Sequence, residues 1–255
     1  MNTDFLIIGG GIAGVSAAAR LSELGSVTLL EAEANLAHHA SGRSAALYEP
    51  RYGAPAVVEL SLASGDHFRS QPDLLSPRGI MIVARADEGE AFRHDARDMG
   101  MDAITPDEAR AIVPILNDRV AFAAHAAHAW DIDTDLLLQS FAREARSRNA
   151  RIVTGAPVTA ITRTATGWTV TAGGEDFSAT TLVNAAGAWV DTIAKLAGIQ
   201  PLGFQPNRRS MARIPAPGGH DVSHWPMIFG AGETWYAKPD AGALIVSPAE
   251  EHPMD

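Results

Sequence analysis

The chain has 255 residues, of which 46% are hydrophobic, a formal net charge of -10 and no cysteine. This length and apolar content suffice for a packed globular core in one or two domains. The acidic balance disfavours a surface built to neutralise nucleic-acid phosphates, and the lack of cysteine excludes disulfides, thiolate metal sites and a cysteine nucleophile. The first residues, MNTDF, lack the basic stretch of a signal peptide, and the apolar run after them is too short and glycine-rich to span a bilayer, so we expect a cytoplasmic protein.

The first pattern is a strand, a glycine-rich turn, a helix and a second strand. Residues 4–8 (DFLII) form the continuous apolar run of a buried parallel strand. Residues 12–24 show helical spacing with a face of small residues, and residues 26–33 predict the second strand. Between the first strand and the helix the chain matches GxGxxG, with glycines at Gly9, Gly11 and Gly14.

This pattern predicts a dinucleotide-binding unit. Gly9 permits a tight turn, Gly11 lets the backbone approach a pyrophosphate, and Gly14 lets helix and strand pack closely. The helix N-terminus offers free N–H groups and partial positive charge to the phosphates. Glu31 ends the second strand and could accept hydrogen bonds from a ribose. The alternative is a glycine-rich crossover without a ligand.

The next segment favours FAD over NAD. Residues 38–53 (HHASGRSAALYEPRYG) resemble the flavin-contacting loop of the FAD-dependent D-amino-acid oxidase superfamily, and "SGRSAA" is similar to its D-arginine dehydrogenase branch in particular. Further segments agree in the same order along the chain, namely LLSPR (74–78), DIDTD (131–135), LVNAAGAW (182–189), RRS (208–210), WPM (225–227) and KPDAG (238–242). The resemblance covers essentially the whole chain and implies bound FAD.

The resemblance also implies which residues hold the cofactor. The turn in NAAGAW (184–189) would be a second backbone passage beside the dinucleotide, although small residues also suit an ordinary strand-to-helix turn. Val158 matches a position whose backbone contacts adenine in relatives. The cofactor-binding residues expected are Gly9, Gly11, Ile12, Ala13, Gly14, Glu31, Ala32, Ser41, Gly42, Arg43, Ser44, Ala45, Ala46, Val158, Ala186 and Gly187.

Beyond this loop the chain alternates between helices and strands. Helices are predicted at 54–68, 105–113 and 133–149, the second opened by a capping box of Thr105 and Glu108 and the third with Leu136, Leu137, Phe141 and Ala145 on one side. Strands are predicted at 78–85, in a hairpin at 157–172, and in most of the chain after residue 201, while residues 180–198 read as strand, turn and helix.

This order predicts an α/β fold in which a Rossmann-like FAD-binding domain is interleaved with a β-rich α+β substrate domain. The FAD-binding domain is expected at residues 1–76 and 132–198, and the substrate domain at 77–131 and 199–255. In the family resembled, the chain then returns to the FAD-binding domain, so this chain is expected to be truncated at its C-terminus.

Two histidine pairs and an acidic segment raise the question of a metal. His38 with His39, and His125 with His128, lack a third ligand at a recognisable spacing, so no metal site is expected. DIDTD (131–135) lacks the glycine and glutamate of a calcium loop, and helix capping by Asp133 or Thr134 explains it better.

The substrate site follows from the resemblance. An amino-acid oxidase needs an arginine to bind the substrate carboxylate. Arg208 and Arg209 are adjacent, and matching RRS to the family favours Arg209, although the pair could also belong to a solvated edge strand or a surface ion pair. Tyr52 and Tyr236 match tyrosines of the family's substrate pocket, although either could be an ordinary half-buried aromatic. The expected catalytic residues are therefore Arg209, Tyr236 and Tyr52.

Two departures concern specificity. Ile80 stands where arginine-active relatives have a glutamate, and Leu47 where they have a histidine near the flavin, so a less polar pocket is expected unless Glu49 or Asp240 supplies a charge. The resemblance implies oxidation of apolar D-amino acids, with a quinone or other electron acceptor. The alternatives are a glycine- or sarcosine-type amine oxidase on the same scaffold, and an inactive truncated nucleotide-binding chain or a subunit completed by a partner.

Overall fold

The computed structural model describes residues 2–254. The chain forms two compact units, each built from two separate stretches. The first unit comprises Met1–Ser44 and Thr134–Pro206, and the second comprises Ala45–Asp133 and Asn207–Asp255. The expected fold class is confirmed: the first unit combines helices with a sheet that is parallel over one half and antiparallel over the other, and the second unit is rich in antiparallel strands.

The helices and strands follow one another along both units. The helices are α1 (Ile12–Leu21), α2 (Pro55–Ser70), α3 (Gly89–Asp98), α4 (Pro106–Ile112), α5 (Thr134–Ser147) and α6 (Val190–Leu196). The strands are β1 (Asn2–Ile8), β2 (Val27–Leu30), β3 (Leu47–Tyr48), β4 (Leu75–Pro77), β5 (Ile80–Ala84), β6 (Asp102–Ile104), β7 (Phe122–Ala126), β8 (Trp130–Ile132), β9 (Arg151–Val153), β10 (Val158–Arg163), β11 (Trp168–Ala172), β12 (Glu175–Asn184), β13 (Asn207–Arg208), β14 (Ala212–Pro215), β15 (Met227–Gly230), β16 (Tyr236–Asp240), β17 (Ala243–Ser247) and β18 (His252–Pro253).

The first unit is organised around a six-stranded sheet in the order β10-β11-β12-β1-β2-β9. β1 lies between β12 and β2 and is parallel to both, which explains why its sequence is a continuous apolar run. Helix α1 packs against α5. The buried side of α5 carries Leu137, Leu138, Phe141, Ala142 and Ala145. The sequence had placed Leu136 on this side instead of Leu138, but Leu136 is only half-buried.

The second unit contains a seven-stranded sheet, β14-β17-β16-β15-β5-β7-β6, and a three-stranded sheet, β3-β8-β4. All five residues of β5 are buried, and it runs parallel to β15 but antiparallel to β7. Helix α4 begins as predicted, because Thr105 accepts a hydrogen bond from the N–H of Glu108 and the Glu108 carboxylate accepts one from the N–H of Thr105.

The boundary of the first unit falls at residue 44, whereas the sequence had placed it at 76. The physical reason is strand pairing. β3 and β4, which lie on either side of α2 in the chain, both pair with β8. These pairings place residues 45–76 in the second unit. A short strand of two residues, such as β3, leaves almost no periodic pattern in the sequence.

No helix within residues 2–254 is both long and apolar enough to cross a membrane.

Candidate functional site

The glycine-rich turn joins β1 to α1 and has no space for side chains at two of its three motif positions. A Cβ on Gly14 would collide with the carbonyl oxygen of Gly9, and a Cβ on Gly9 would collide with the carbonyl of Ala185. Gly9 also has a φ of +113°, which a residue with a side chain rarely adopts. The turn therefore brings the start of α1 and the backbone after β12 into van der Waals contact.

Two side chains organise the N–H groups of this turn. Glu31, directly after β2, accepts a hydrogen bond of 2.6 Å from the N–H of Gly10 and another of 2.8 Å from the N–H of Glu33. The hydroxyl of Ser41 accepts a hydrogen bond of 3.0 Å from the N–H of Ile12, in the first turn of α1. The structure thus brings Glu31 and Ser41, which the sequence singled out separately, to the same glycine turn.

The second expected backbone passage lies beside the first. The side-chain amide of Asn184 donates to the carbonyl of Val190, and its oxygen accepts from the N–H of Ala186, so this residue holds the NAAGAW turn closed. Gly187 has a φ of +53° and faces open space. Because it has no Cβ, a ligand can approach its backbone closely. Val158 and Ala186 pack against the same apolar cluster.

A polar and aromatic group lies on the same unit. His39 Nε2 is 2.9 Å from a carboxylate oxygen of Glu33, and the His39 ring lies 4.6 Å from the ring of Trp189. Glu33, His38 and His39 present three potential ligand atoms within 4.8 Å of one another. Glu33 is the third potential ligand that the sequence spacing did not reveal, and its hydrogen bond with His39 accounts for its position.

The expected cofactor residues do not all fall in one unit. Gly9, Gly11, Ile12, Ala13, Gly14, Glu31, Ala32, Ser41, Gly42, Arg43, Ser44, Val158, Ala186 and Gly187 belong to the first unit, whereas Ala45 and Ala46 are the first residues of the second. Arg43 donates through Nε to the carbonyl of His38, which fixes the local turn.

In the second unit, Tyr52 and Arg209 meet at a polar cluster. The Tyr52 hydroxyl donates a hydrogen bond of 2.6 Å to Glu233, 181 residues further along the chain. Desolvation of the hydroxyl, followed by the hydrogen bond and charge of Glu233, raises the pKa of Tyr52 to about 12, and the charge of Arg209 and its side-chain hydrogen bond oppose this rise. Glu233 is the residue of this cluster that the sequence did not indicate.

The position of Glu233 is itself unusual. It adopts a φ of +56° in the short turn between β15 and β16. A left-handed conformation at a residue with a side chain costs about 1–2 kcal/mol, and such strain is common at functional sites. The neighbouring Gly232 N–H donates to Asp95 on α3, which anchors the turn.

Arg209 binds a carboxylate in this structure. Its guanidinium lies 2.5 Å from a carboxylate oxygen of Glu251. The adjacent Arg208 instead lies 3.3 Å from Nδ1 of His252, the residue opposite it in the β13–β18 pair. The two arginines therefore have different partners, and only Arg209 lies beside Tyr52.

Leu47, Ile80 and Tyr236 gather around one apolar cluster that includes Phe229. Ile80 is only 3% exposed and belongs to the core of the cluster, while Leu47 and Tyr236 pack against it from its edge. The Tyr236 hydroxyl points to the sulfur of Met211, at 3.9 Å. The three residues expected to shape a substrate pocket thus share one apolar environment.

The two acids considered as alternative charges are both engaged elsewhere. Burial raises the pKa of Glu49, whose Oε2 lies 3.2 Å from Nε2 of His128. Its other oxygen accepts a hydrogen bond from the N–H of Arg51. Asp240 accepts a hydrogen bond from Arg213 at the protein surface.

These features fit a dinucleotide site. The glycine-rich turn leaves no space for a Cβ at Gly9 or Gly14, the Glu31 carboxylate lies next to that turn, and the turn at Gly187 is open. The molecule is thus an α/β protein with a dinucleotide-binding first unit. The family described as FAD dependent oxidoreductase (DAO) matches residues 4–255, so the chain belongs to this family and its cofactor is FAD.

Solved structures share this fold. L-alpha-glycerophosphate oxidase from Mycoplasma pneumoniae, with FAD bound, is 21% identical with a TM-score of 0.87, and the match covers 100% of this chain and 72% of that one. Glycine oxidase from Geobacillus kaustophilus is 20% identical with a TM-score of 0.81, again covering 100% and 72%. L-proline dehydrogenase from P. horikoshii is 21% identical with a TM-score of 0.79, covering 98% and 71%. At these identities the likeness establishes the fold.

Replacing Gly14 by alanine is expected to abolish retention of FAD, because the added methyl group would separate α1 from the Gly9 carbonyl. Overpacking of this kind costs about 1–3 kcal/mol. FAD released by acid from the purified protein measures the effect. Gly155→Ala controls for a general loss of stability: its Cβ meets no atom within 4 Å, while its φ of +65° makes alanine strained there, so it should retain FAD despite that strain. A wild-type ratio of FAD to protein in Gly14→Ala would contradict the prediction.

Tyr52 is expected to keep its proton between pH 10 and 12 as long as Glu233 is ionised. Because its folded-state pKa lies above the ordinary value of 10.0, its contribution to stability is present below pH 10 and is lost as the pH rises towards 12. Glu233→Gln should lower the pKa of Tyr52, because the hydrogen bond and the charge of Glu233 both raise it. Tyrosinate absorbance, with Tyr52→Phe subtracted, gives the titration; Asp240→Asn serves as the control, and an unchanged titration in Glu233→Gln contradicts the assignment.

Proposed function

We propose that the chain oxidises D-amino acids with apolar side chains. The observation that carries this proposal is the binding of a carboxylate by Arg209 beside the Tyr52 hydroxyl. An α-amino acid presents the same group, and a guanidinium binds it through charge-assisted, bidentate hydrogen bonds. The resemblance of residues 38–53 to the D-arginine dehydrogenase branch supports the D-configuration of the substrate.

Each residue has a defined role in the proposed reaction. Arg209 holds the substrate carboxylate in place of Glu251, and Tyr236 lies against the substrate. Tyr52 gives up its hydrogen bond to Glu233 and donates one to the substrate carboxylate instead. FAD, held by the glycine turn and Glu31, would supply the two-electron oxidation of the α-carbon. The substrate gives up a hydride from the α-carbon in that oxidation and a proton from its amine to water, which yields the imino acid; water then hydrolyses the imino acid to a 2-oxo acid and ammonia.

The apolar preference rests on the surroundings of Leu47 and Ile80. Both contact the cluster around Phe229, and a guanidinium or ammonium group buried there would lack a partner. Glu49 and Asp240 support the same preference, because each already contacts a basic side chain.

The electron acceptor is proposed to be a quinone or similar compound. A substrate screen that compares reduction of a dye with formation of peroxide tests both parts of the proposal. Turnover of apolar D-amino acids with dye, and little peroxide, is expected. Preferential oxidation of glycine or sarcosine with stoichiometric peroxide would favour the amine oxidase alternative, and no turnover of any amine or amino acid would reject the function.

Arg209→Met is expected to lower kcat/KM for a D-amino acid more strongly than Arg208→Met. Charge-assisted hydrogen bonds are worth about 1.5–3 kcal/mol each, so the loss at Arg209 should be at least about tenfold. Arg208 contacts His252 and should tolerate the change. Steady-state kinetics of both variants measure the difference, and equal losses would remove Arg209 from its proposed role.

Substrate selectivity is expected to follow Ile80. In the wild type, kcat/KM for D-leucine, D-methionine or D-phenylalanine should exceed that for D-arginine. Ile80→Glu buries a carboxylate in an apolar cluster, where only a cationic substrate would pair with it, so the ratio should shift towards D-arginine by about tenfold or more. Ile80→Val keeps the site apolar and should leave the ratio unchanged. A wild-type preference for D-arginine over every apolar substrate would contradict the proposal.

A further inference from the structure

Lys238 is a buried lysine in the middle of strand β16, with a side chain that is only 7% exposed. Its ammonium group lies 2.6 Å from one carboxylate oxygen of Asp131 and donates to the carbonyl of Ala46 at 3.3 Å. Lysine is almost never buried this deeply without a partner, because desolvation of the ammonium group is unfavourable. The position of Lys238 therefore depends on these two acceptors.

Asp131 does not need Lys238 to balance its charge. Its second carboxylate oxygen is bound by Arg78, with Nε at 2.8 Å and the terminal nitrogen at 2.6 Å. Arg78 also donates to the carbonyls of Ser223 and Trp225. One carboxylate thus faces two buried cations. An apolar side chain of similar size would fill the position of Lys238 with equal or greater stability. What only the lysine supplies there is the hydrogen bond to the Ala46 carbonyl.

Ala46 is held in a strained conformation. Its φ of +55° lies in the left-handed region, which alanine disfavours. Its carbonyl accepts hydrogen bonds from Lys238 Nζ and from the N–H of Ile132, and β3 begins at the next residue. Residues in such conformations persist when their surroundings over-determine them, and they cluster at ligand-binding sites. Asp131 lies opposite Leu47 in the β3–β8 pair, so the residue whose carboxylate holds Lys238 also faces, through its backbone, the residue that follows Ala46.

We propose that Lys238, held by Asp131, is a positioning residue that fixes the left-handed backbone of Ala46 and thereby shapes the flavin-binding segment. The proposal rests on the function proposed above and on the expectation, which follows from the resemblance, that Ala45 and Ala46 contact the flavin. Loss of the ammonium group removes one of the hydrogen bonds that hold the Ala46 carbonyl, and the bond from the N–H of Ile132 alone does not keep the backbone from relaxing towards the ordinary conformation of alanine. Glycine at position 46 adopts a positive φ without strain and needs no such support.

The experiment compares FAD affinity and the visible spectrum of bound flavin in the full chain. Lys238→Met should weaken FAD binding by about tenfold or more, because the segment around Ala46 must then be ordered when FAD binds. The flavin absorption bands should shift as well. Arg213→Met is the matched control: Arg213 is an exposed cation that also binds one acid, Asp240, together with backbone carbonyls, and its loss should change neither quantity.

The rescue by Ala46→Gly separates positioning from a general loss of stability. In Lys238→Met, Ala46→Gly should restore most of the affinity and the wild-type spectrum; in the wild type it should change affinity by no more than about twofold. Equal affinity and spectra in Lys238→Met and the wild type, or a double variant no better than Lys238→Met, would overturn the proposal.

A second variant at position 238 and the activity of the wild type complete the experiment. If Lys238→Met does not fold, Lys238→Gln, which retains a donor without the charge, takes its place and should bind FAD more tightly when combined with Ala46→Gly. No gain from that combination overturns the proposal. A wild-type chain that binds FAD but oxidises no amino acid rejects the proposed function and leaves the affinity comparison valid.

Discussion

The close contact between the start of α1 and the carbonyl of Gly9 is the constraint on which the first unit depends. With no Cβ at Gly14, the helix can approach β1 until backbone meets backbone. The same approach brings the N–H of Gly10 to Glu31 and the N–H of Ile12 to Ser41. A polar edge of the sheet is therefore built by backbone groups whose positions follow from one missing side chain.

In the second unit, contacts between distant segments are made by side chains, whereas backbone groups form the glycine turn of the first unit. Polar and charged side chains join segments that are distant in the chain: Lys238 contacts Asp131, and Tyr52 contacts Glu233. Apolar groups from β3, β5 and β16 share a separate cluster. Solved proteins of this fold are named for different substrates, namely glycerophosphate, glycine and proline. Side chains such as these can change between relatives while the fold persists.

The local features of the chain could be predicted from the sequence, and the long-range ones could not. The glycine turn, the capping box at Thr105 and the helix of α5 each depend on residues only a few positions apart, so their patterns are legible. The DIDTD segment was interpreted as a helix start, and α5 does begin at Thr134. The contact of Asp131 with Lys238 joins residues 107 positions apart and leaves no periodic signal.

The residues that sequence reasoning missed share this cause. Glu233 reaches Tyr52 from a left-handed position in the β15–β16 turn, and nothing in the string GAGE distinguishes that turn from any other. Pairing of the two-residue strand β3 with β8 likewise decided the boundary at residue 44. A resemblance to relatives supplied Arg209 and Tyr52, but it did not indicate the acids that bind them.

The division of each unit into two stretches has a consequence for synthesis on the ribosome. The insertion of residues 45–133 emerges before α5, β9 and β12 can complete the first sheet. Within that insertion β5 pairs early with β7, but its parallel partner β15 is not made until residue 227. One edge of the apolar strand β5 therefore remains unpaired while about 140 further residues are translated, and unpaired strand edges of this kind are prone to aggregation. The nascent chain therefore exposes this edge while the remaining strands of its first unit are being made.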